Sequence, residues 1–358
     1  MNILLCMPKF IDTGHPGCNG GGAWGWMLER QFKKAGWNVI FLNSFEPDPV
    51  PADLVYKQDF IIFRHSYQVE FRRYKDIVSK ARRGAVIIQN FIDKSATEDW
   101  ESFRVCRETD IWIAQNEDHM DLAKRVGFKS YILHYPIDMS EFSSTPRSNS
   151  KLLYVGRFCP QKGFESLIRA FGLIKKEHPD ATLTLKGAWS WGEWGSKTSS
   201  GYMGYIDEMT RIIDGIGGID ILNGWTAPDT LSRIYNDHSI LIFPVNGEPY
   251  GAPIVEAQSA SMPVITSDSF AQKEKVIDGV DGFVLERKWV DSITGKYLLP
   301  SPSDIADRVN FLLDDNSRIN MFGENSRRMA EKMYDQNVVM ENLLVFLMEE
   351  FRNKNAKS

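Results

Sequence analysis

The sequence lacks two features that would narrow its class at once, long apolar runs and paired cysteines. No run approaches the ~18 apolar residues of a membrane-spanning helix, and the N-terminus has neither a basic leader nor a cleavage site. There is no Cys-x-x-Cys pair and no cluster of cysteine and histidine at metal-ligand spacing. We therefore expect no transmembrane segment, no export, no zinc site and no disulfide framework, and a cytoplasmic location fits best. The scattered cysteines are Cys6, Cys18, Cys106 and Cys159.

An excess of charge of one sign is also missing. The formal net charge is -5 for 358 residues, which gives no overall electrostatic case for a nucleic-acid or membrane partner. Residues 70–84, EFRRYKDIVSKARRG, are a local exception, because they predict a basic amphipathic helix. Such a helix can dock on anionic lipid or on phosphates, although outer helices of this kind are usually only solvated. Peripheral contact with a membrane surface or with DNA through residues 70–84 is therefore a hypothesis.

Composition and periodicity predict two α/β domains. A chain of 358 residues with 43% apolar residues is too long for one typical core. Short apolar runs that suit buried parallel strands alternate with helical periodicity in each half. Repeated strand-helix units with right-handed crossovers build a doubly wound parallel sheet, so each half is predicted to contain one. The predicted strands are residues 2–6, 38–42, 59–63, 85–89, 111–115 and 130–134, then 151–155, 181–186, 218–222, 239–243 and 263–266.

A Ser- and Pro-rich segment without periodicity, residues 135–150, separates the two halves and is predicted to be a linker. We therefore place the first domain at residues 1–134, the second at residues 151–336, and a final helix at residues 337–358. Open parallel sheets bind ligands at the carboxyl ends of their strands, so functional motifs are expected to gather there.

Two cations follow the first strand of the second half. Gly156, Arg157 and Lys162 lie in VGRFCPQKGF, between that strand and a predicted helix N-terminus. An arginine fork, a mobile lysine charge and a positive helix end would together hold a diphosphate. A solvated arginine and lysine on an ordinary turn is the alternative that this segment alone leaves open.

Two glutamates flank a turn in the segment NGEPYGAPIVEA. Glu248 is predicted to lie on the loop after a strand, and Glu256 about one turn into the following helix. A carboxylate can accept hydrogen bonds from two hydroxyls at once, which suits the vicinal diol of a ribose or a hexose. Gly251 lets the backbone approach a ligand closely, and the helix N-terminus donates amides toward a negative group. One glutamate per sugar ring is the simplest interpretation.

These segments resemble the nucleotide-sugar half of family 4 retaining glycosyltransferases, which have the GT-B fold. The resemblance rests on the ordered Gly-Arg, Lys-Gly, Glu-x7-Glu and Asp-Gly-x-x-Gly-Phe elements within residues 152–171, 243–268 and 276–286. The first half is similar more loosely, through residues 20–39 and 131–142. The resemblance implies an α/β protein with two Rossmann-like, doubly wound domains that face each other across a cleft, and a C-terminal helix that crosses back to the first domain.

The resemblance also implies transfer of a sugar from a nucleotide diphosphate sugar, UDP-linked, to a hydroxyl acceptor. Arg157 and Lys162 would hold the donor diphosphate, and Glu256 the ribose. Glu248 would bind the transferred sugar and act in catalysis with the two cations. The other implied donor contacts are Gly156, Tyr250, Gly251 and Ala252 and, across the cleft, Gly21 and Gly22 of a glycine-rich turn, whose alternative role is only to join strand to helix.

The implied mechanism retains the anomeric configuration, by same-face attack in which the leaving phosphate accepts the proton of the acceptor. Neither an enzyme nucleophile nor a cofactor is then expected. Fixed cations at the leaving diphosphate would contribute about 3 kcal/mol per well-placed donor. Metal-dependent transferases of another fold use an Asp-x-Asp triplet, and no two aspartates here are two positions apart. We therefore expect metal independence.

The acid/base group is one departure from the family. Many members carry a histidine after the fourth strand, whereas AVIIQNFIDKS offers Asn90 and Asp93 there. An amide cannot shuttle protons, so Asn90 could only position an acceptor hydroxyl, and Asp93 or His65 could take the acid/base part. A satisfied structural histidine is the alternative for His65.

A long Trp-rich loop, residues 187–205, is a second departure from the family. Trp189 and Trp191 could stack on an acceptor sugar or base, because aromatic faces bind both. The alternative is a loop that packs its own tryptophans against the domain. The sequence leaves both interpretations open.

The acceptor is open as well, and a lipid-linked glycan, a polysaccharide or modified DNA would each fit. Residues 1–10, 17–22 and 87–95 faintly resemble bacteriophage hydroxymethylcytosine glucosyltransferases, so a DNA-base transferase is the alternative function. A non-catalytic sugar-nucleotide-binding protein is a third possibility, because the family's histidine is missing. A nicotinamide-dependent oxidoreductase is disfavoured, since CNGGGAWG does not fit the Gly-x-Gly-x-x-Gly spacing.

Overall fold

A computed structural model shows that the chain folds as two α/β units. One comprises residues 1–136 and 336–358, and the other residues 137–335. Each unit is built on a six-stranded sheet whose paired strands run parallel. The predicted α/β class with two doubly wound, Rossmann-like sheets is therefore confirmed. The structure describes residues 1–7, 20–44, 48–64, 67–90, 108–147, 149–190, 199–224, 226 and 228–356.

The first unit winds outward in both directions from its first strand. The strand order is β2-β1-β3-β4-β5-β6, so β1 and β3 have neighbours on both sides and read as continuous apolar runs. Its strands are β1 (Asn2–Met7), β2 (Asn38–Asn43), β3 (Phe60–Arg64), β4 (Val86–Asn90), β5 (Ile111–Ala114) and β6 (Lys129–Ile132). Its helices within the described ranges are α1 (Gly20–Lys34), α2 (Ala52–Tyr56), α3 (Tyr67–Lys80), α4 (Glu117–Arg125) and the C-terminal α12 (Gln336–Ala356).

The C-terminal helix completes the core of the first unit. Four buried side chains of α12 belong to the same apolar cluster as those of β1, β3, β4 and β5, namely Val339, Met340, Leu343 and Leu347. Near the end of the helix, Lys354 Nζ donates to the carbonyl oxygen of Ala85 and to the Asp110 carboxylate, both at 2.6 Å. These contacts fix the last turn of α12 against the residues that precede β4 and β5.

The second unit repeats the architecture, with the strand order β12-β11-β10-β7-β8-β9. Because β7 and β10 are neighbours, the segments that follow them leave the same edge of the sheet side by side. Its sheet strands are β7 (Lys151–Phe158), β8 (Thr182–Trp189), β9 (Ile219–Asn223), β10 (Ile240–Phe243), β11 (Val264–Ser267) and β12 (Gly282–Leu285). Its helices within the described ranges are α5 (Phe164–Glu177), α6 (Ser200–Ile216), α7 (Pro228–Asn236), α8 (Ala252–Ser259), α9 (Phe270–Lys275), α10 (Pro302–Leu313) and α11 (Asn316–Met333).

Two features of the second unit differ from the sequence-based expectations. β7 continues through Gly156 and Arg157, where a loop was predicted, because β8 pairs with it residue by residue to its end. An antiparallel hairpin that was not predicted, β13 (Lys288–Ser292) and β14 (Gly295–Leu299), stands between β12 and α10. Glu165 in the first turn of α5 holds this hairpin, since its carboxylate accepts from the Ser292 hydroxyl at 2.6 Å.

Residues 137–147, which fall within the predicted linker, are tied to the second unit. The backbone N–H of Ser143 donates to Asn236 Oδ1 at 2.7 Å. Arg327 of α11 donates to the carbonyl oxygen of Ser259 at 2.5 Å and to carbonyl oxygens of this segment. The segment therefore packs as part of the second unit and braces the end of α8.

Candidate functional site

A tight turn follows β7. Residues 159–163, here called the Lys162 turn, contain one 3-10 turn at Pro160–Lys162 and end at Gly163, directly before α5. Gly163 has a φ of +67°, and a Cβ there would lie 2.1 Å from the carbonyl oxygen of Pro244. Only glycine combines this left-handed conformation with so close an approach. The turn is therefore held against the segment that follows β10.

The segment after β10, residues 244–251, is here called the Glu248 turn. Its Asn246 N–H donates to the carbonyl oxygen of Gln161 at 3.0 Å. The ammonium of Lys162 forms an ion pair with the Glu248 carboxylate. The Lys162 side chain is 12% exposed and that of Glu248 31%, so the carboxylate keeps more contact with water than the ammonium. The structure thus brings together a cation and an acid that the sequence had singled out from distant segments.

Arg157 extends into solvent near the carboxyl end of β7. Its Nη1 lies 3.2 Å from Ser190 Oγ, and its carbonyl oxygen accepts a hydrogen bond from the Tyr154 hydroxyl at 2.7 Å. A Cβ on Gly156 would lie 2.9 Å from that hydroxyl, so glycine leaves room for it. Burial raises the pKa of Tyr154 well above its ordinary value, while the charge of Arg157 opposes the shift and that of Glu248 adds to it. Both charges therefore act on one buried phenol, which stays protonated.

Gly251 ends the Glu248 turn in the left-handed conformation, with a φ of +78°, and α8 begins at the next residue, Ala252. A Cβ on Gly251 would lie 2.9 Å from Gln272 Nε2, which donates to the carbonyl oxygen of Glu248 at 3.1 Å. The amide of Gln272 thus fills the inside of the turn. Since the first N–H groups of a helix have no intrahelical acceptor, the start of α8 can donate to a ligand.

Buried charges lie behind the Glu248 turn. Lys275 Nζ is 4.2 Å from the ring centroid of Tyr250, which is itself buried. Burial lowers the pKa of Lys275 to about 8, and Glu274 partly offsets the shift. Gln258 Nε2 donates to the carbonyl oxygen of Lys275 at 2.7 Å and lies 3.4 Å from Asp281 Oδ2. Burial raises the pKa of Asp281 to about 6.

Glu256 lies one turn into α8 and is partly buried. One carboxylate oxygen accepts a hydrogen bond from the Tyr235 hydroxyl at 2.6 Å. Burial raises the pKa of Glu256, and this hydrogen bond opposes the shift. Tyr235 was not selected from the sequence, because its position on α7 gave no motif that linked it to Glu256.

Arg287 is a second residue that the sequence reasoning missed. It follows β12, and its Nε lies 2.7 Å from Asp268 Oδ1 while its Nη1 lies 2.8 Å from the carbonyl oxygen of Asn246. Arg287 therefore joins the ends of β11 and β12 to the Glu248 turn. The sequence did contain a signal for this contact, because Asp268 follows β11 and Arg287 follows the adjacent strand β12. The carboxyl ends of adjacent parallel strands lie side by side, so the two side chains could be expected to meet.

Trp189 packs inside the second unit. Its ring meets Phe158, Phe164 and Tyr205 edge-on, with centroid distances of 5.5, 5.4 and 6.2 Å. This geometry corresponds to the packing interpretation of the Trp-rich loop for Trp189. Trp191 lies outside the described residues.

Three of the candidate residues of the first unit lie at the ends of regular elements, and two others lie outside the described residues. Gly21 and Gly22, expected in a turn, belong to the first turn of α1. Glycine adopts turn and helical conformations alike, so the glycine run could not locate the start of the helix. Asn90 is the last residue of β4. His65 and Asp93 lie outside the described residues.

Two kinds of feature are absent from the described ranges. No group of three or more His, Cys, Asp or Glu side chains there is placed to hold a metal ion. No helix in the same ranges is both long and apolar enough to cross a bilayer. The charged side chains that the described site offers to a ligand include those of Arg157, Lys162 and Glu248.

Comparison with known proteins gives the family. A family model described as "Glycosyl transferases group 1" matches residues 138–329, more than half of the chain. The chain belongs to this family. The matched residues include both the Lys162 turn and the Glu248 turn.

Curated relatives match part of the chain. It is 25% identical over 190 residues to the capsular polysaccharide biosynthesis glycosyltransferase CapM of Staphylococcus aureus, a match that covers 53% of this chain and 43% of CapM. It is 24% identical over 263 residues to the D-inositol 3-phosphate glycosyltransferase of Corynebacterium kroppenstedtii, which covers 65% of this chain and 53% of that protein. The chain thus spans about half the length of the curated relatives that it matches.

Solved structures match nearly the whole chain. Anabaena HepE in complex with UDP and glucose has a TM-score of 0.72 at 16% identity, covering 98% of this chain and 100% of that chain. The sucrose-phosphate synthase from Thermosynechococcus elongatus has a TM-score of 0.73 at 15% identity, covering 100% of both chains. These similarities establish the fold, and the predicted GT-B class is confirmed.

Proposed function

We propose that the protein is a metal-independent, retaining glycosyltransferase that moves a sugar from a UDP-linked donor to a hydroxyl acceptor. The observation that carries the proposal is the ion pair between Lys162 and Glu248, which joins two turns at the carboxyl edge of one parallel sheet. Membership of the family supports the reaction class. The HepE complex with UDP and glucose supports the donor.

The cations suit a leaving diphosphate. Breaking the bond between the anomeric carbon and the phosphate builds negative charge on the diphosphate and positive charge on the sugar ring. Arg157 is exposed and Lys162 stands directly before the N-terminus of α5, so a phosphate there would meet two cations and a helix end. Each well-placed donor contributes about 3 kcal/mol to such a transition state.

The acids suit the two sugars of the donor. One carboxylate oxygen of Glu256 accepts the hydrogen bond of the Tyr235 hydroxyl. The carboxylate can still accept further hydrogen bonds, which suits the diol of a ribose. Glu248 would accept hydroxyls of the transferred sugar, while Lys162 contacts both this carboxylate and the diphosphate. The ammonium then lies between the leaving diphosphate and the carboxylate that holds the transferred sugar.

The acceptor attacks from the face that the phosphate leaves. Its oxygen forms the new bond to the anomeric carbon, the carbon–phosphate oxygen bond breaks, and the acceptor proton passes to the departing phosphate. No protein nucleophile takes part in this sequence. A glycan hydroxyl is the proposed acceptor, supported by the similarity to CapM, a transferase of capsular polysaccharide biosynthesis.

Binding and turnover of UDP-glucose, UDP-galactose and UDP-N-acetylglucosamine test the proposal. At least one donor should raise Tm, since a ligand at 100 times its Kd stabilises a fold by about 2.7 kcal/mol. UDP release should continue in EDTA. Glu256→Ala should weaken the shift and Arg157→Ala should slow release, whereas Lys176→Ala, on the exposed side of α5, serves as a control. The proposal fails if no donor shifts Tm, or if both site variants bind and react like the wild type.

A further inference from the structure

Phe270 has a strained backbone beside the proposed donor site. Its φ is +31°, in a region that residues with side chains rarely adopt. Among the described residues other than glycine, only Ser261 shares a positive φ, at 58°. Strain of this kind persists where surrounding contacts impose it, and it clusters at functional sites.

Buried hydroxyls impose this conformation. Ser267 donates to the carbonyl oxygen of Val245, just after β10, and the Ser269 hydroxyl oxygen lies 3.4 Å from the same carbonyl oxygen. Ser269 donates its proton to Gln272 Oε1 at 2.8 Å, and the side chains of Ser267, Ser269 and Gln272 are fully buried. The residues on both sides of Phe270 are thus fastened in place, which fixes the direction in which the phenyl ring leaves the backbone.

The phenyl ring lies over the Glu248 turn. A Cβ on Gly247 would lie 2.9 Å from Cε2 and 3.0 Å from Cδ2 of Phe270, so the ring covers the position where a side chain would stand. The carbonyl oxygen of Gly247 lies 3.4 Å from Lys162 Nζ, and the next residue is Glu248. A partly exposed aromatic ring therefore lies against Gly247, the residue that adjoins the proposed cation and precedes the proposed acid.

This combination matches the surface of a pyranose ring. A sugar presents C–H groups on its faces and hydroxyls around its rim, so an aromatic ring can cover a face while a carboxylate accepts from the rim. A nucleoside diphosphate that lacks the transferred pyranose has no C–H face to place against the Phe270 ring. The ring next to Glu248 should therefore contribute to recognition of the sugar and not of the nucleotide.

We propose that Phe270 is a specificity-determining residue of the sugar subsite, where its ring packs against the C–H face of the transferred pyranose beside Glu248. The proposal rests on the proposed function, because it needs a nucleotide sugar in this site. The strained backbone then has a role, since it keeps the ring over Gly247.

Calorimetric titration of Phe270 variants with UDP and with the three UDP-sugars named above tests this proposal. Phe270→Leu keeps apolar volume but removes the flat face, and it should weaken UDP-sugar binding about 3- to 10-fold. Its affinity for UDP should stay within about twofold of the wild type. Phe270→Tyr, which keeps the flat ring, should restore the UDP-sugar affinity.

Phe311→Leu, which changes an exposed phenylalanine on α10, is the control and should change neither affinity. Equal losses for UDP and UDP-sugars in Phe270→Leu would overturn the proposal, as would no loss for any UDP-sugar. A wild-type protein that binds neither UDP nor any UDP-sugar would instead refute the proposed function, and the subsite with it. Binding of UDP by the wild type thus separates the two failures.

Discussion

Two lysines contact the Glu248 turn from different surroundings. Lys162 meets the carboxylate of Glu248, whereas Lys275 is 4% exposed and lies against the ring of Tyr250. A carboxylate compensates an ammonium for the loss of water far better than an aromatic face does. Burial accordingly lowers the pKa of Lys275 to about 8. The charge of Lys162 is therefore available to bind a ligand, whereas the buried charge of Lys275 lowers the stability of the fold.

Lys162→Met should cause the largest change and should affect catalysis. Loss of the cation at the diphosphate should lower kcat about 100- to 1000-fold, while the protein is destabilised by about 1 to 2 kcal/mol because Glu248 loses its partner. Rates of UDP release and urea unfolding measure the two effects. A similar loss of kcat in Lys275→Met would remove the distinction between the two lysines, and Lys176→Met serves as the control for a lost surface charge.

Lys275→Met should instead stabilise the protein, by about 2 kcal/mol at pH 7, because the cost of burying the charge exceeds the lost contact with the ring. Between pH 8 and pH 10.5 the unfolded chain keeps a proton that folded Lys275 has lost, so this group makes the wild type more stable as the pH rises. The variant should lack that gain. Urea unfolding at pH 7.5 and pH 9.5 tests this, and parallel curves for both proteins would contradict it.

Asp281→Asn extends the comparison to a buried acid. Between pH 3.8 and pH 6 folded Asp281 keeps a proton that the unfolded chain has lost. Its contribution to stability therefore falls as the pH rises through this window, by about 3 kcal/mol in total. Unfolding at pH 4.5 and pH 6.5 should show a smaller fall in the variant than in the wild type. Asp220→Asn, at an exposed site on β9, should leave the fall unchanged.

Tyr235→Phe should have the smallest effect. It removes the hydrogen bond that opposes the effect of burial, so the pKa of Glu256 should rise further. The Kd for UDP should increase about fivefold, as expected for one lost hydrogen bond, and more at pH 6 than at pH 8. Titration with UDP at both pH values measures this. Equal losses at both values would argue against a change in the ionisation of Glu256, and Tyr297→Phe on β14 is the control.

The site in the second unit was predictable to the extent that it follows from chain order. Strand, loop and helix alternate around Lys162 and Glu248, and the carboxyl ends of parallel strands share one edge, so their proximity could be inferred from the sequence. The position of Arg157 within β7 could not be predicted in the same way. Arg157 remains in the strand because it pairs with Ala188, and nothing in the local sequence reports that pairing.

The hairpin could not be predicted for a related reason. Its anchor is the contact between Ser292 and Glu165, which are 127 positions apart in the chain. Phe270 gave no signal either, because its positive φ arises from buried serines that also bind the end of another strand. Local periodicity reports which face of an element is apolar, whereas these features depend on single contacts between distant segments.

The order of the two units along the chain also affects which of them can fold first during synthesis. The second unit is one uninterrupted stretch and can close its core once residue 335 has emerged from the ribosome. The first unit needs α12, which follows the whole second unit in the chain, to cover the apolar side chains of β1 and β3. Domains generally fold as they emerge, starting from the N-terminus. Here we expect the reverse order, in which the second unit folds first and the first unit completes its core only after α12 has emerged.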